Sequence, residues 1–509
     1  MASKIGHFVS PYEGGVKSVT INNPGSGYVI ADEVAIVAGD NNCYIQIHNV
    51  DGSGAVTEIG IKYYLGAGTG YTDATNVETT GGSGDQAFTV DYTVWDSSNT
   101  VTLTGFGFQP KALLFFGLNT GMTNGYMGTA NSCYHMRGVW TATGQFSHAL
   151  EGTNKTGPWT FSRTANNCIL LDGTSAGLLL RGNVTSTNAD GCVLTFDTVT
   201  AGSCYSVFYL AIGTESLGLC QTREISIPLY TSGQLSNIDL GQNIDLGIIM
   251  GAGYSSGEES RAAIPNFGTS VVATRYDAQS RGTTYGNISS CWGVNRHARG
   301  SLLNSFCRLH TSTTINSQST ISAWIPDGIK LIIANSTTML YYMNLLEMSG
   351  IEARLIQIST PTGGAQDVTY TTMGFQAEGL LFLSRQSVTA PGITANSGFM
   401  HGVSDGTDNY CLTLTSRRYS PLGMTADMSN VDMYGPTSAT DYSLSTPYGL
   451  CLHQLVSGSG IVASGYCTAI TTTGFTIHYV TAASASAVLV LGWRAKQDAR
   501  TITPAGGMT

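Results

Sequence analysis

The chain has 509 residues, with 23 Lys plus Arg and 33 Asp plus Glu. That is a charged fraction of 11%, against roughly 25% in ordinary globular proteins, and 63 glycines stand among abundant Thr, Ser and Asn. The length excludes one compact domain, the composition favours strands and turns over exposed helix faces, and a net charge of −10 with no Lys/Arg-rich segment excludes a phosphate-neutralising nucleic-acid surface.

The opening MASKIGHFVSPYEGG has no apolar h-region, and no run in the chain approaches the 18 apolar residues of a membrane span. No signal peptide or span is therefore expected, and folding is expected in a cytosol. Within residues 1–15, Ile5, Phe8, Val9, Pro11 and Tyr12 follow no period, too apolar for a solvated leader and too short to fold alone. The segment is predicted to be an anchoring arm that orders on a neighbouring subunit, burying Phe8 and Tyr12 there.

Residues 16–95 carry a short repeat. Pro24-Gly25-Ser26-Gly27-Tyr28 returns as Gly66-Ala67-Gly68-Thr69-Gly70-Tyr71, and a shift of 43 residues also matches Ala31 with Ala74, Val34 with Val77 and Gly39 with Gly82. Ile45 and Ile47 then lie opposite Phe88 and Val90, the alternation of half-buried strands. Two tandem small β modules are predicted.

A larger repeat follows. Gly107-Phe108-Gln109-Pro110-Lys111 with the apolar run Ala112–Phe116 returns as Gly374-Phe375-Gln376-Ala377-Glu378 with Gly379–Leu383, and Leu240–Asn243 before Ile244–Met250 stands midway between them. The far ends agree. Gly191–Phe196, Gly328–Ile333 and Gly474–Tyr479 each read as glycine, alternating strand, turn and a second apolar strand, a hairpin closing a domain. These glycines are 137 and 146 residues apart, so the third copy has gained about nine residues, assigned to a surface loop within Arg417–Tyr442. The predicted architecture is all-β: an arm (1–15), two modules (16–95), three tandem jelly-roll-like β-sandwiches (96–218, 219–350 and 351–497) and a tail (498–509). The eleven cysteines form no C-x-x-C pair and several lie in apolar runs, as Cys192, Cys204 and Cys451 do, so they read as buried free thiols.

The G-F-x-P element with its apolar strand and closing hairpin resembles the repeated β-sandwich domain of many bacteriophage virion proteins. The paired G-x-G-Y modules are similar to those of phage baseplate, tail-fibre and tail-spike proteins. The second large copy lacks the G-F-x-P element and the third has Ala377 in place of proline. The resemblance implies a virion structural component of the tail apparatus, made in the host cytoplasm. It implies symmetric self-association, with a trimer favoured, contacts to other virion proteins through the arm, and loops presented to a host-surface glycan or protein. A head decoration or vertex protein is the competing structural reading, and a tail-borne polysaccharide depolymerase the competing class.

Chemical motifs are weak. Gly253-Tyr254-Ser255-Ser256-Gly257 fits G-x-S-x-G, but Pro265 cuts short the helix that a nucleophile elbow needs. The nine histidines are scattered singly, and Asp405-Gly406-Thr407-Asp408-Asn409 reads as a turn rather than a calcium loop. No catalytic residue, metal or cofactor is predicted. Loop aromatics and arginines are the candidate contacts: Tyr126, Tyr254, Arg417, Arg418, Tyr419 and Tyr434, which either pack domains and subunits together or touch a host surface.

Overall fold

The uninterrupted apolar runs that open the large repeats are strands buried on both faces, and they organise the chain. The computed structural model describes residues 2–496 apart from connecting segments, the longest being 62–69, 119–132, 153–159, 214–219, 228–234, 254–265, 334–340, 386–391 and 435–449; in the second sandwich it describes the backbone but few side chains. Every regular element among the described residues is a strand, so the protein is all-β.

Chain order starts with β1 (Ala2–Val9), followed by a small unit of β2 (Val16–Asn23), β3 (Glu33–Ile36), β4 (Tyr44–Val50), β5 (Val56–Ile61), β6 (Ala74–Gly81) and β7 (Thr89–Val94). Next come β8 (Thr100–Leu103), β9 (Ala112–Leu118), β10 (Cys133–Thr141), β11 (Gly144–Gly152), β12 (Thr160–Thr164), β13 (Ile169–Gly173), β14 (Gly177–Asn188), β15 (Gly191–Val199) and β16 (Ser206–Gly213). The middle of the chain holds β17 (Cys220–Ile227), β18 (Leu235–Asp239), β19 (Leu246–Gly253), β20 (Asn266–Asp277), β21 (Ser280–Gly293), β22 (Arg296–Leu303), β23 (Cys307–Thr311), β24 (Thr314–Ile325), β25 (Gly328–Ile333) and β26 (Tyr341–Met348). The last third holds β27 (Ile351–Ser359), β28 (Gln366–Tyr370), β29 (Gly379–Arg385), β30 (Gly392–Thr394), β31 (Asn396–Ser404), β32 (Asn409–Tyr419), β33 (Thr425–Tyr434), β34 (Leu452–Val456), β35 (Gly460–Thr471), β36 (Gly474–Ala482) and β37 (Ala487–Ala495).

Three sandwiches repeat one topology. Their large sheets run β1-β16-β9-β10-β11-β12, β17-β26-β19-β20-β21-β22 and β27-β37-β29-β31-β32-β33; their small sheets run β13-β14-β15-β8, β23-β24-β25-β18 and β34-β35-β36-β28. β30, which lies between β29 and β31 in the chain, adds to the edge of β22 in the second sandwich. All pairings are antiparallel, with Phe116 opposite both Arg137 and Phe208 in the first sandwich and Leu383 opposite both His401 and Leu489 in the third. The two sheets approach closely at Gly138 and Gly402, where a Cβ would lie 1.7 Å from the Cys168 carbonyl oxygen and 1.9 Å from that of Cys451. Glycine is what lets the second strand of the apolar hairpin pass under the small sheet at both places.

Position for position, β1 stands where β17 and β27 stand. The expected arm is thus corrected: Ala2–Val9 is the first strand of the first sandwich, paired with β16 of its own chain, and Phe8 is buried between that sandwich's two sheets beside Phe115 and Tyr209. Its apolar residues lack a simple period because the strand is covered on both faces, Ile5 on one and Phe8 on the other. Tyr12 lies outside the described residues.

The small unit is therefore an insertion between the first two strands of a sandwich, and its two halves form one sheet rather than two modules. The sheet order is β2-β7-β6-β3-β4-β5, and β2 and β5 at its ends touch, so the sheet curls around a single core. The 43-residue shift carries β3 onto β6 and β4 onto β7, yet β2 pairs with β7 and β5 with β4, so each half is completed by the other. The two repeat tyrosines make the exchange reciprocal. Tyr28 Oη accepts the Phe88 N–H at 3.4 Å, and Tyr71 Oη accepts the Cys43 N–H at 3.1 Å. The chain passes in and out of the unit at one neck, where Gly14 N donates to Trp95 O (3.1 Å) and Trp95 N to Gly15 O (2.9 Å), with Trp95 buried in the first sandwich.

Candidate functional site

Alternate residues of the large sheets of the first and third sandwiches enter different cores. In β9, Leu113 and Phe115 fill the inside of the sandwich, while Ala112, Leu114 and Phe116 join a central cluster; in β29, Leu380 and Phe382 face inside while Leu381 and Leu383 join the same cluster. Leu246, Ile248, Met250, Leu346 and Met348 bring the second sandwich to it. Burial on both sides explains why these strands read as continuous apolar runs.

Around this cluster the sandwiches touch in a cycle. β10 and β11 of the first lie against β17 of the second, β20 and β21 of the second lie against β27 of the third, and β32 of the third lies against β1 of the first. The same surfaces meet at each step, which is the head-to-tail contact of a closed threefold ring, built here from one chain. At the first seam Thr222 N donates to Thr143 Oγ1 at 3.3 Å and Cys220 Sγ to Lys111 O at 3.4 Å. The second seam is crossed by the chain itself, because only Ser349 and Gly350 separate β26 from β27.

No such link crosses the third seam, where β1 meets the third sandwich. Trp493 Nε1 donates to Ser3 Oγ at 3.2 Å, Lys4 Nζ lies 3.5 Å from Asp408 Oδ2, and the His7 ring stacks on Tyr410 with centroids 6.3 Å apart. Tyr410 in turn stacks on Phe208, Phe208 on Phe116, and Phe116 packs on His401. Burial pushes His7 down to about 4, and holds His401 well below the ordinary histidine range with Arg137 adding to the shift. Arg137, His148 and His401 are all fully covered in this region. The turn that supplies Asp408 is held by Asp405 Oδ1, which accepts the N–H of Thr407 (3.0 Å) and of Asp408 (2.8 Å), with Gly406 at φ +90°. Asp405–Asn409 is thus a hairpin turn between β31 and β32. Among the described residues no group of three or more His, Cys, Asp or Glu is placed to hold a metal ion.

The contact residues expected from sequence distribute unevenly. Tyr126 and Tyr254, with Ser255 of the G-x-S-x-G segment, lie outside the described residues. Arg417, Arg418, Tyr419 and Tyr434 are on strands rather than in one enlarged loop. Arg417, Arg418 and Tyr419 pair with Asp427, Ala426 and Thr425 at the turn end of the β32–β33 hairpin, and Tyr434 pairs with Cys411 at its other end. β32 and β33 have 11 and 10 residues, against 14 and 8 in β21 and β22 of the second sandwich, so the length the third copy gains over the second is not in these strands. The alternation Leu412-Thr413-Leu414-Thr415 was the signal for strand there. Ser3, Lys4, His7 and Asp408 at the third seam went unrecognised because they come together only on ring closure.

No family model matches this chain, and no curated protein matches it. Among solved structures, a fructofuranosidase from Schwanniomyces occidentalis complexed with fructose aligns over 96% of this chain and 99% of that one at 5% identity, with a TM-score of 0.09. So low a score carries no argument about fold or activity.

Proposed function

We propose that this chain is a structural protein of a bacteriophage virion, built into the tail apparatus as a fibre, adhesin or baseplate appendage, and that it does no enzymatic work. The observation that carries the reading is the cyclic packing of three like sandwiches around one apolar cluster. Such a body is suited to a threefold position in a particle, and it joins the G-F-x-P and G-x-G-Y resemblances of the sequence. The expected self-association rested on open edges and uncovered apolar patches, and the preference for a trimer on the resemblance alone. In the ring those faces cover one another within a single chain, and three of the four exposed large apolar side chains among the described residues (Val29, Ile30 and Val37) are on the inserted unit. One chain per threefold position is therefore the stoichiometry of the reading.

The β32–β33 hairpin, longer than its β11–β12 counterpart in the first sandwich, is the proposed host-surface contact, and the inserted unit the proposed contact to other virion proteins. Labelled antibody against the protein on intact particles should mark the tail tip or fibres. Decoration of the head would select the capsid reading instead, and release of reducing ends from host capsule by the purified protein would replace it with a depolymerase.

A further inference from the structure

The three seams of the ring are filled by the same kind of strand, but the chain delivers it differently. β17 and β27 each follow directly on the last strand of the preceding sandwich, the latter after Ser349-Gly350 alone. At the third seam the preceding sandwich ends with β37, and the strand that fills the place comes from the other end of the chain. β1 pairs with β16 over eight residues, from Ala2 opposite Gly213 to Val9 opposite Ser206, and is otherwise an edge strand. Its two faces are specified as well as its backbone: Ile5 enters the central cluster, Phe8 enters the first sandwich, and Gly6 lies where a Cβ would meet the Tyr209 hydroxyl at 2.4 Å. Beyond Val9, Ser10 ties the strand down through its N–H to Tyr205 O (2.8 Å) and its Oγ from Tyr205 N (3.0 Å).

We propose that the place between β16 and the β32 face of the third sandwich is a strand-acceptor site, filled in cis by Ala2–Val9 and able to take the same strand from a second copy of the chain, so that an exchanged strand links one ring to the next. The strand is recognised by residues of the acceptor, among them β16, Phe115 and Phe196 of the first sandwich and Asp408, Tyr410 and Trp493 of the third. Only residues 10–13 join it to the neck at Gly14, and this short link is the hinge across which the strand would pass to the next ring. Main-chain pairing supplies affinity, and the alternating Ile5 and Phe8 positions supply selectivity. A second copy of this chain is the occupant because the register, the missing Cβ at Gly6 and the Lys4–Asp408 pair fit this sequence.

The test uses a chain lacking residues 2–9 and a fluorescent peptide of sequence Ala2–Val9. The expected result is saturable one-to-one uptake, at least tenfold weaker for Ile5→Asp and Phe8→Asp peptides. As a control for loss of fold in the shortened chain, the full chain is also made with a protease site between Pro11 and Gly14 and cut after folding; the labelled strand should exchange into the cut ring. For exchange between copies, a chain with Val9→Cys is mixed with a chain carrying Ser206→Cys, positions directly opposite in the β1–β16 ladder, and a disulfide-linked pair of chains is expected after refolding together under mild oxidation. The proposal is overturned if neither the shortened chain nor the cut ring takes up the strand, or if refolded mixtures give no cross-linked pair while the double variant cross-links within one chain.

Discussion

Ser10 and Thr360 hold one position in two sandwiches: each hydroxyl accepts the backbone N–H that precedes the last strand, from Tyr205 at 3.0 Å in the first sandwich and from Ser486 at 2.8 Å in the third. Their own N–H groups return to the carbonyls of the same residues, Tyr205 at 2.8 Å and Ser486 at 2.9 Å. Both side chains are buried, so a lost hydroxyl leaves an amide without water to replace it. Ser10→Ala and Thr360→Val should each cost about 1–3 kcal/mol, and Thr360→Ser should restore most of the loss, as read from urea midpoints. Equal stability of Thr360→Val and the parent would remove this device from the account.

Gly138→Ala and Gly402→Ala place a methyl group within 2 Å of a backbone oxygen, which no side-chain rotation relieves. Each should destabilise its sandwich by about 3 kcal/mol or prevent folding, whereas Gly52→Ala, with nothing within 4 Å of its Cβ, should be close to neutral. Thermal unfolding of the three variants checks the contrast.

The inserted unit should be removable. Its neck is closed by the Gly14/Gly15 pairing with Trp95, and in the third sandwich the same connection, from Ser359 to Gln366, is short. Replacing residues 16–94 by a short turn that keeps Gly15 and Trp95 should leave the ring folded, with the far-ultraviolet spectrum of a strand protein and cooperative melting. Insolubility of this variant would mean that the unit is part of the ring's own core.

Acid should loosen the third seam first. His7 lies lower in the docked strand, at about 4, than the usual 6.5 of an exposed imidazole, because burial disfavours its charged form; its Nε2 has no hydrogen-bond partner among the described residues. A depressed histidine favours the docked strand fully above 6.5, and that contribution is lost as the pH falls from 6.5 through about 4. The charged and titratable groups around it are Lys4 on the same strand, Tyr209 on β16, and Asp405, Asp408 and Tyr410 on the third sandwich. The protection factors of the β1 amides, their exchange corrected for the intrinsic chemical rate at each pH, should therefore fall between pH 6 and 4, and His7→Gln should flatten that dependence. Unchanged protection in the parent over this range would contradict the assignment.

Sequence periodicity revealed the three large repeats because their apolar runs are buried on both faces. The strand pairs read as closing hairpins are not hairpins: β15, β25 and β36 lie in the small sheets and β16, β26 and β37 in the large ones, so each turn carries the chain from one sheet to the other. Gly191 and Gly474 start the small-sheet strands, where a Cβ would come within 2 Å of the carbonyl oxygens of Leu103 and Tyr370. Periodicity did not reveal that residues 2–9 belong to the first sandwich. The insertion separates β1 from β8, and the strand carries no G-F element; only the pairing of Ser10 with the position of Thr360 marks it. The exchange of strands between the halves of the insertion was equally hidden, since a 43-residue shift reports likeness and not which strand pairs with which. The hairpin at Arg417–Tyr434 was read as loop because the added length was visible and the alternation within it was overlooked.

A single chain closes its own threefold ring through β1, and sedimentation of dilute protein tests this most directly when combined with a Val9→Cys, Ser206→Cys pair, placed opposite one another in the β1–β16 ladder. One species of 53.5 kDa, cross-linked within the chain on mild oxidation, is expected. A stable trimer persisting on dilution, or a pair of cysteines that never joins within one chain, would contradict it.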